Sequence, residues 1–314
     1  ALLVAGVRRW RAPRRTKGQA MRGQGWLLGL MLLAAAPAMA GCPPAGQDRA
    51  GLQALKASGF ELADVAGKHA LAMGLVGCLG DADPALRDGV AYEALQHWMR
   101  AGDFDAAFLR RLRDALFAGL DADDSNGVRR PFAALVLAEV ARTDRVAPWM
   151  SPAEREAMLA RATTYLASVR DYRGFEAGIG WRHGVAHGAD WLLQMSLNPA
   201  LDAAQLQRIL DAVALQAVPV SAHAYVFGEP DRLAQPVAYV ARRGVLSDAD
   251  WQAWLGGLSA RLGPMPPAGD AAWLARRHDL AAFLSALYIQ ADASQNEALR
   301  ALKPHVSKAM AGGG

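Results

Sequence analysis

The sequence predicts an all-α fold, and three observations carry that prediction. From about residue 50 onward apolar residues recur at spacings of three and four, which puts one apolar stripe on each helix. Strictly alternating β-branched runs, the mark of a half-buried strand, are missing from the same stretch. Helix start signals recur at short intervals: Asp83 before Pro84, Ser151 before Pro152 with Glu154, and Ser247 ahead of Asp250.

With stops at Gly102, Gly174, Gly244 and Gly263-Pro264, these signals divide the chain into helices. They run at 51–57, 61–79, 84–101, 104–119, 130–142, 152–168, 181–196, 202–217, 230–242, 247–261 and 270–291, with a terminal helix near 295–310. The connections are short, so successive helices should pack as antiparallel neighbours, and none of them is polar all round. The expected architecture is a right-handed array of antiparallel helical hairpins, a HEAT- or armadillo-like solenoid, with an α/α toroid as the alternative. GPMPPAG, residues 263–269, reads as a bent connection inside a single helical domain spanning 51–310. With 53% hydrophobic and 20% charged residues, the chain can bury a sizeable core. Trp149, Trp181, Trp191, Trp251, Trp254 and Trp273 are spaced as core and helix-contact residues.

The first fifty residues read differently. Met21-Arg22 and then WLLGLMLLAAAPAMA (26–40) have the charged start, apolar middle and small-residue end of an export signal, assigned to 21–41. Its apolar run is shorter than the roughly 20 residues that a membrane span needs. Residues 1–20 carry Arg8, Arg9, Arg11, Arg14, Arg15 and Lys17 ahead of the first methionine and read as an upstream extension. Ala38-Met39-Ala40 suits a general signal peptidase, whereas Met39-Ala40-Gly41-Cys42 resembles a bacterial lipobox. The lipobox reading makes Cys42 the lipidated first residue and the membrane a partner through that anchor, with 42–50 as a tether. It places the protein at the periplasmic face of the envelope, and it leaves Cys78 without an intramolecular partner, as a small buried helix residue.

Removing residues 1–41, which hold seven Lys/Arg and no Asp/Glu, leaves 34 − 7 = 27 basic against 30 acidic residues, a formal charge of −3. The basic balance belongs to the leader, so no nucleic-acid partner is expected; a small ligand or an envelope protein is.

The chemistry concentrates in GWRHGVAHGADW, residues 180–191. On one helix, steps of about 100° bring His183, His187 and Asp190 to one face. Three uses follow from that set. Two imidazoles and a carboxylate can hold a divalent metal, zinc or iron, with room for a water. The same groups can transfer protons, Asp190 fixing the tautomer of His187 while His183 faces a ligand. They can equally be a polar seam between helices, since Gly184 and Gly188 let a neighbour approach closely. The zincin glutamate between the histidines is missing. Catalysis is thus open, as a hydrolase-like metal-assisted or acid/base enzyme, beside simple binding. Further groups stand near helix ends: Arg129 and Arg130; Asp171 and Arg173; Glu229, Asp231 and Arg232. Each can be a ligand-binding group or an inter-helix ion pair that fixes register.

LGDADPALRDGVAYEALQHW (79–98), VRRPFAALVLAEV (128–140), DYRGFEAGIGWRHGVAHGADWL (171–192) and GEPDRLA (228–234) together resemble the bacterial domain-of-unknown-function family 2785. The resemblance runs over about residues 79–260, and G-W-x-H-x-x-A-H-x-A-D is its most specific part. It implies an all-helical, HEAT-like fold and no established activity. By the family pattern Arg129, Arg130, Asp171, Arg173, His183, His187, Asp190, Glu229, Asp231 and Arg232 fall on signature positions. Pro131 and Arg182 stand where a Ser-like and an Ala-like residue belong, and Arg182 disfavours a bound cation if it points inward.

Overall fold

Capping side chains fix where the helices begin. In the computed structural model, which describes residues 41–312, Asp48 accepts from the Gly51 amide to start α1 (Arg49–Ala57). Asp64 accepts from Ala66 and Gly67 to start α2 (Val65–Cys78). α3 (Pro84–Leu86) begins on Asp83, with Pro84 where an amide would have no helical partner. A π-helical turn, Arg87–Tyr92, leads into α4 (Glu93–Ala101), which ends on the left-handed Gly102. α5 (Ala106–Asp121) is capped by Asp105. Asp124 accepts from the amides of Val128, Arg129 and Arg130 at the start of α6 (Arg129–Val146). Capping boxes start α7 (Pro152–Ser168), α9 (Ala203–Ala217) and α11 (Asp248–Leu262). Between them lie α8 (Gly184–Ser196) and α10 (Glu229–Arg242), and α12 (Ala271–Asp292), α13 (Glu297–Arg300) and α14 (Lys303–Gly312) follow.

Packing follows the apolar stripes. α6 lies along α8, α8 along α10 and α10 along α12, while α5 packs on α6, α7 on α8 and α9, and α9 on α10. Trp98, Leu112, Leu137, Trp191, Leu210 and Phe283 are fully buried and mark the core from one end of the described chain to the other. Each such side chain contributes about 1.5–3 kcal/mol of transfer free energy. Among the described residues no helix is long and apolar enough to cross a membrane.

Four expectations are corrected. A two-stranded antiparallel hairpin, β1 (Phe175–Glu176) with β2 (Gly180–Trp181), stands where the helix was to begin at 181, and α8 starts three residues later. Trp181, on β2, is exposed rather than core. The terminal helix is two helices, because Pro304 has no amide to offer the Arg300 carbonyl. Residues 42–50 are not a free tether: Pro44 is buried against Gly74, α1 begins at Arg49, and Cys42 forms a disulfide with Cys78. Cys78 therefore has a partner, and one sulfur cannot hold both a disulfide and a lipid thioether, so Cys42 in this bond is closed to lipidation. The upstream extension and nearly all of the export signal lie outside the described residues.

Candidate functional site

The chain enters α8 through a turn that only tertiary contacts can hold. His183 is the residue before the helix and sits in the left-handed region at φ 51 and ψ 39, a conformation that costs a non-glycine residue about 1 kcal/mol or more. Two backbone bonds hold it there: the Arg182 amide donates to Gly174 O (2.9 Å) and the His183 amide to Arg173 O (3.3 Å). Phe227, from the loop before α10, presses on Gly174 so closely that a Cβ there would lie 2.0 Å from its ring. The loops leading into α8 and α10 are thus locked together, and glycine at 174 is what permits it.

The two histidines do converge. Their rings stand perpendicular with centroids 6.1 Å apart, and the Trp181 ring lies 4.2 Å from that of His183. Nδ1 of the buried His187 lies 3.1 Å from Pro131 O on α6. A carbonyl only accepts, so Nδ1 carries the hydrogen and Nε2 the lone pair. That carbonyl, not Asp190, sets the tautomer. Burial pushes the pKa of His187 down to about 3, helped by the His183 and Arg232 charges, and that of His183 down to about 4, helped by Arg232. Both rings are neutral at pH 7. Nε2 of His183 is buried without a hydrogen-bond partner, 3.9 Å from a Glu229 carboxylate oxygen. The other Glu229 oxygen accepts from the Phe227 amide at 2.9 Å.

Asp190 turns elsewhere. It receives both arms of the Arg232 fork from α10, Nε at 2.8 Å from Oδ1 and Nη2 on Oδ2, and burial raises its pKa despite that partner. Among the described residues no three His, Cys, Asp or Glu side chains converge as metal ligands, so the divalent-metal reading of His183, His187 and Asp190 is corrected. The physical reason is that the 100° step applies only inside a helix. His183 lies just outside it, and Asp190 is claimed by the neighbouring helix. Gly188 does the work expected of a small residue: a Cβ there would lie 3.0 Å from Leu166 and Tyr165 of α7.

The remaining signature residues divide. Glu229 and Arg232 join the histidine seam, while Asp231 is exposed on the first turn of α10. Arg173 grips Asp171 two residues away. Arg129 lies over Gly80, where a Cβ would meet its guanidinium at 2.5 Å. Arg182 points away from the histidines, donating to Asn126 O at 2.9 Å and pairing with Glu176.

Arg130, Asp171 and Arg182 instead face a second feature, a cleft of about 320 Å³ between the start of α6, the end of α7 and the start of α8. Arg161 and Arg170 complete its basic lining, Asp121 and Asp124 its acidic one, and Tyr165 and Gly184 form part of the wall. The carboxylates are all engaged: Asp121 by the Arg161 fork, Asp124 by three α6 amides, Asp171 by Arg173. The arginine neighbours hold Asp121 and Asp171 below the usual carboxylate range.

The residues that the resemblance singled out, from Arg129 to Arg232, lie within residues 116–289, the span matched by the family model described as "Protein of unknown function (DUF2785)". The chain belongs to that family. No curated protein and no solved structure matches it significantly.

Sequence reasoning missed Arg87, Arg161 and Arg170. Arg87 is fully buried, donating to Ile179 O at 2.7 Å and Asp81 O at 3.0 Å with its guanidinium 4.8 Å from the Phe132 ring, so it ties the hairpin to the helices before it. Its signal was present in the quoted stretch 79–98, as an arginine on an otherwise apolar face. Arg161 and Arg170 carry no motif, because their role depends on which loops fold over α7.

Proposed function

We propose that the protein is an exported helical-array binding protein that captures a small polar ligand in the cleft between α6, α7 and α8. One observation carries this reading: the cleft of about 320 Å³ is lined by arginines from three separate segments, and it includes signature positions Arg130 and Asp171. Volumes of this size are at the small end for small-molecule sites. The alternation of α6, α8, α10 and α12 in one layer with α5, α7 and α9 against it supports a stack of hairpins over a closed toroid. Export is supported by the leader pattern of residues 21–41 together with the Cys42–Cys78 disulfide, since such bonds persist in oxidising compartments.

The test is a thermal-shift screen of small polar metabolites on the purified protein beside Thr164→Trp. Thr164 is exposed, lines the cleft and lies inside α7, so tryptophan there plugs the space without touching the core. Ligands that raise the melting temperature of the native protein should lose that effect in Thr164→Trp. Undiminished shifts in the plugged variant would sink the reading.

A second reading, proton transfer, is favoured by His183: strained backbone, a buried unpartnered Nε2, and Glu229 beside it. In it His183 Nε2 takes the proton from the substrate and the nearby Glu229 carboxylate stabilises the imidazolium that forms. The binding reading is preferred because the cleft supplies the space for a ligand.

A further inference from the structure

Resting on that binding reading, we infer that the cleft's ligand is a small oxyanion, a carboxylate or a phosphate ester, held by Arg130 and Arg170. Four guanidinium groups line the cleft against three carboxylates, and the carboxylates are consumed within the protein. Asp121 is taken by Arg161, whose fork it accepts, and Asp171 by Arg173. Asp124 spends its oxygens on the first amides of α6, at 2.9 to 3.0 Å, which fills its lone pairs but leaves its charge to offset one arginine, so the lining keeps a net positive charge of one, four arginines against three aspartates. Arg182 is satisfied by Glu176 and the Asn126 carbonyl.

Among the described residues neither Arg130 nor Arg170 has a carboxylate within ion-pair distance, although the Arg130 charge also acts on Asp121. Among the described residues the Arg130 side chain donates to the Ala122 carbonyl alone, from Nη2 at 3.0 Å and Nε at 3.3 Å. Arg170 donates from Nη1 to the carbonyls of Ala167 at 2.8 Å and Val169 at 2.7 Å, and it also reaches the Tyr172 hydroxyl. A neutral carbonyl cannot balance a guanidinium charge, and the planar fork of arginine fits the paired oxygens of a carboxylate or phosphate.

The backbone adds to the same sign. α6 and α8 both begin at the cleft, so the positive ends of two helix dipoles point towards it. The α6 start is already covered by the Asp124 carboxylate, whereas α8 begins with no side-chain cap, and its first residue, Gly184, is part of the cleft wall. Arg130 and Arg170 come from two different elements, α6 and the segment after α7, so an anion between them also fastens those elements together. The net positive lining favours an anion over a cation or an uncharged sugar.

The experiment is calorimetric titration of the whole purified protein with inorganic phosphate, with succinate and, as a neutral control, with glucose. It is run on the native protein, on the double variant Arg130→Gln/Arg170→Gln, and on Thr164→Trp. Both arginines are exposed, so a helical circular-dichroism signal equal to that of the native protein is expected of the double variant. Phosphate or succinate should bind, roughly tenfold or more weakly in the double variant, since a charge-assisted bond is lost at each site, and not at all in Thr164→Trp. Binding of phosphate alone assigns a phosphate ester, and of succinate alone a carboxylate. If both anions fail, or bind the double variant unchanged, the oxyanion inference is overturned. Glucose lost only on plugging would then still uphold the cleft, whereas unchanged binding of any probe to Thr164→Trp overturns both.

Discussion

At the scale of single residues, the buried titratable groups make opposite demands on pH. His183 and His187 have folded pKa values of about 4 and 3, below the unfolded value of 6.5. A depressed value means that their contribution to stability is present above pH 6.5 and is lost as pH falls towards 4 and then 3, because the unfolded chain binds protons that the folded one refuses. The slope is at most about 1.4 kcal/mol per pH unit for each histidine. Urea unfolding of His187→Gln, which can still donate to Pro131 O but loses the ring packed against Phe132, should show a cost of about 1 kcal/mol or more at pH 7 that shrinks towards pH 4. Parallel pH curves for the two proteins would count against a buried neutral His187. Asp279 runs the other way. It is buried in α12, one oxygen accepts from the Tyr225 amide at 2.8 Å and the other has no partner, and burial raises its pKa to about 6. A raised value means stability is present below pH 3.8 and is lost as pH climbs through 6. Asp279→Asn, which keeps the acceptor, should therefore gain about 1 kcal/mol at pH 8 and nothing at pH 4, measured by the same unfolding curves. The two histidines approach each other, but through a left-handed turn at His183 and not through the helical spacing that the sequence suggested. The partner of Asp190 was not legible, because Arg232 is forty-two residues away and approaches from another helix.

At the scale of elements, what was legible follows from local chemistry. The start of α7 at Pro152 and of α11 at Asp248 could be read from Ser151 with Glu154 and from Ser247 with Asp250, since a capping box is complete within four residues. The hairpin was not legible because its strands have two residues each, too few for any alternation to register. It exists because Gly178 and Gly180 take positive φ, at 81° and 80°, and because Arg87 and Phe227 hold it from either side. Two substitutions separate these supports. Gly174→Ala should displace Phe227 and free the loop before α10, exposing it to limited proteolysis near Val226 while leaving helix content unchanged. Arg87→Met keeps the length of the side chain but removes the donors to Ile179 O and Asp81 O. Both carbonyls are part-buried, so losing their donors should cost about 1–3 kcal/mol in total in chemical unfolding. An Arg87→Met protein as stable as the native one would mean that the hairpin is held by Phe227 alone.

At the scale of the whole molecule, the sequence fails where distant segments meet. The fold class was visible in periodicity alone, but the cleft was not, because it joins Arg130, Arg161 and Arg170 through loops whose paths no local pattern encodes. The cysteines make the same point with a sharper consequence. Read one at a time, Cys42 fits a lipobox and Cys78 a small core residue. Folding brings them to a Cα separation of 4.9 Å and bonds them across 36 positions of sequence. The bond fastens the segment before α1 to the end of α2, beside the contact of Pro44 with Gly74. Closing a loop of that length should be worth about 3–4 kcal/mol through the entropy of the unfolded chain. Reduction, or the double substitution Cys42→Ser/Cys78→Ser, should therefore lower the melting temperature by several degrees. A lipidated Cys42 makes the opposite forecast, since its sulfur is already alkylated, reduction changes nothing and one free thiol remains at Cys78. Thiol titration of the denatured, unreduced protein decides between them: none is expected here, rising to two on reduction, and an intact mass carrying a diacylglyceryl group would remove the disulfide from the account of stability altogether.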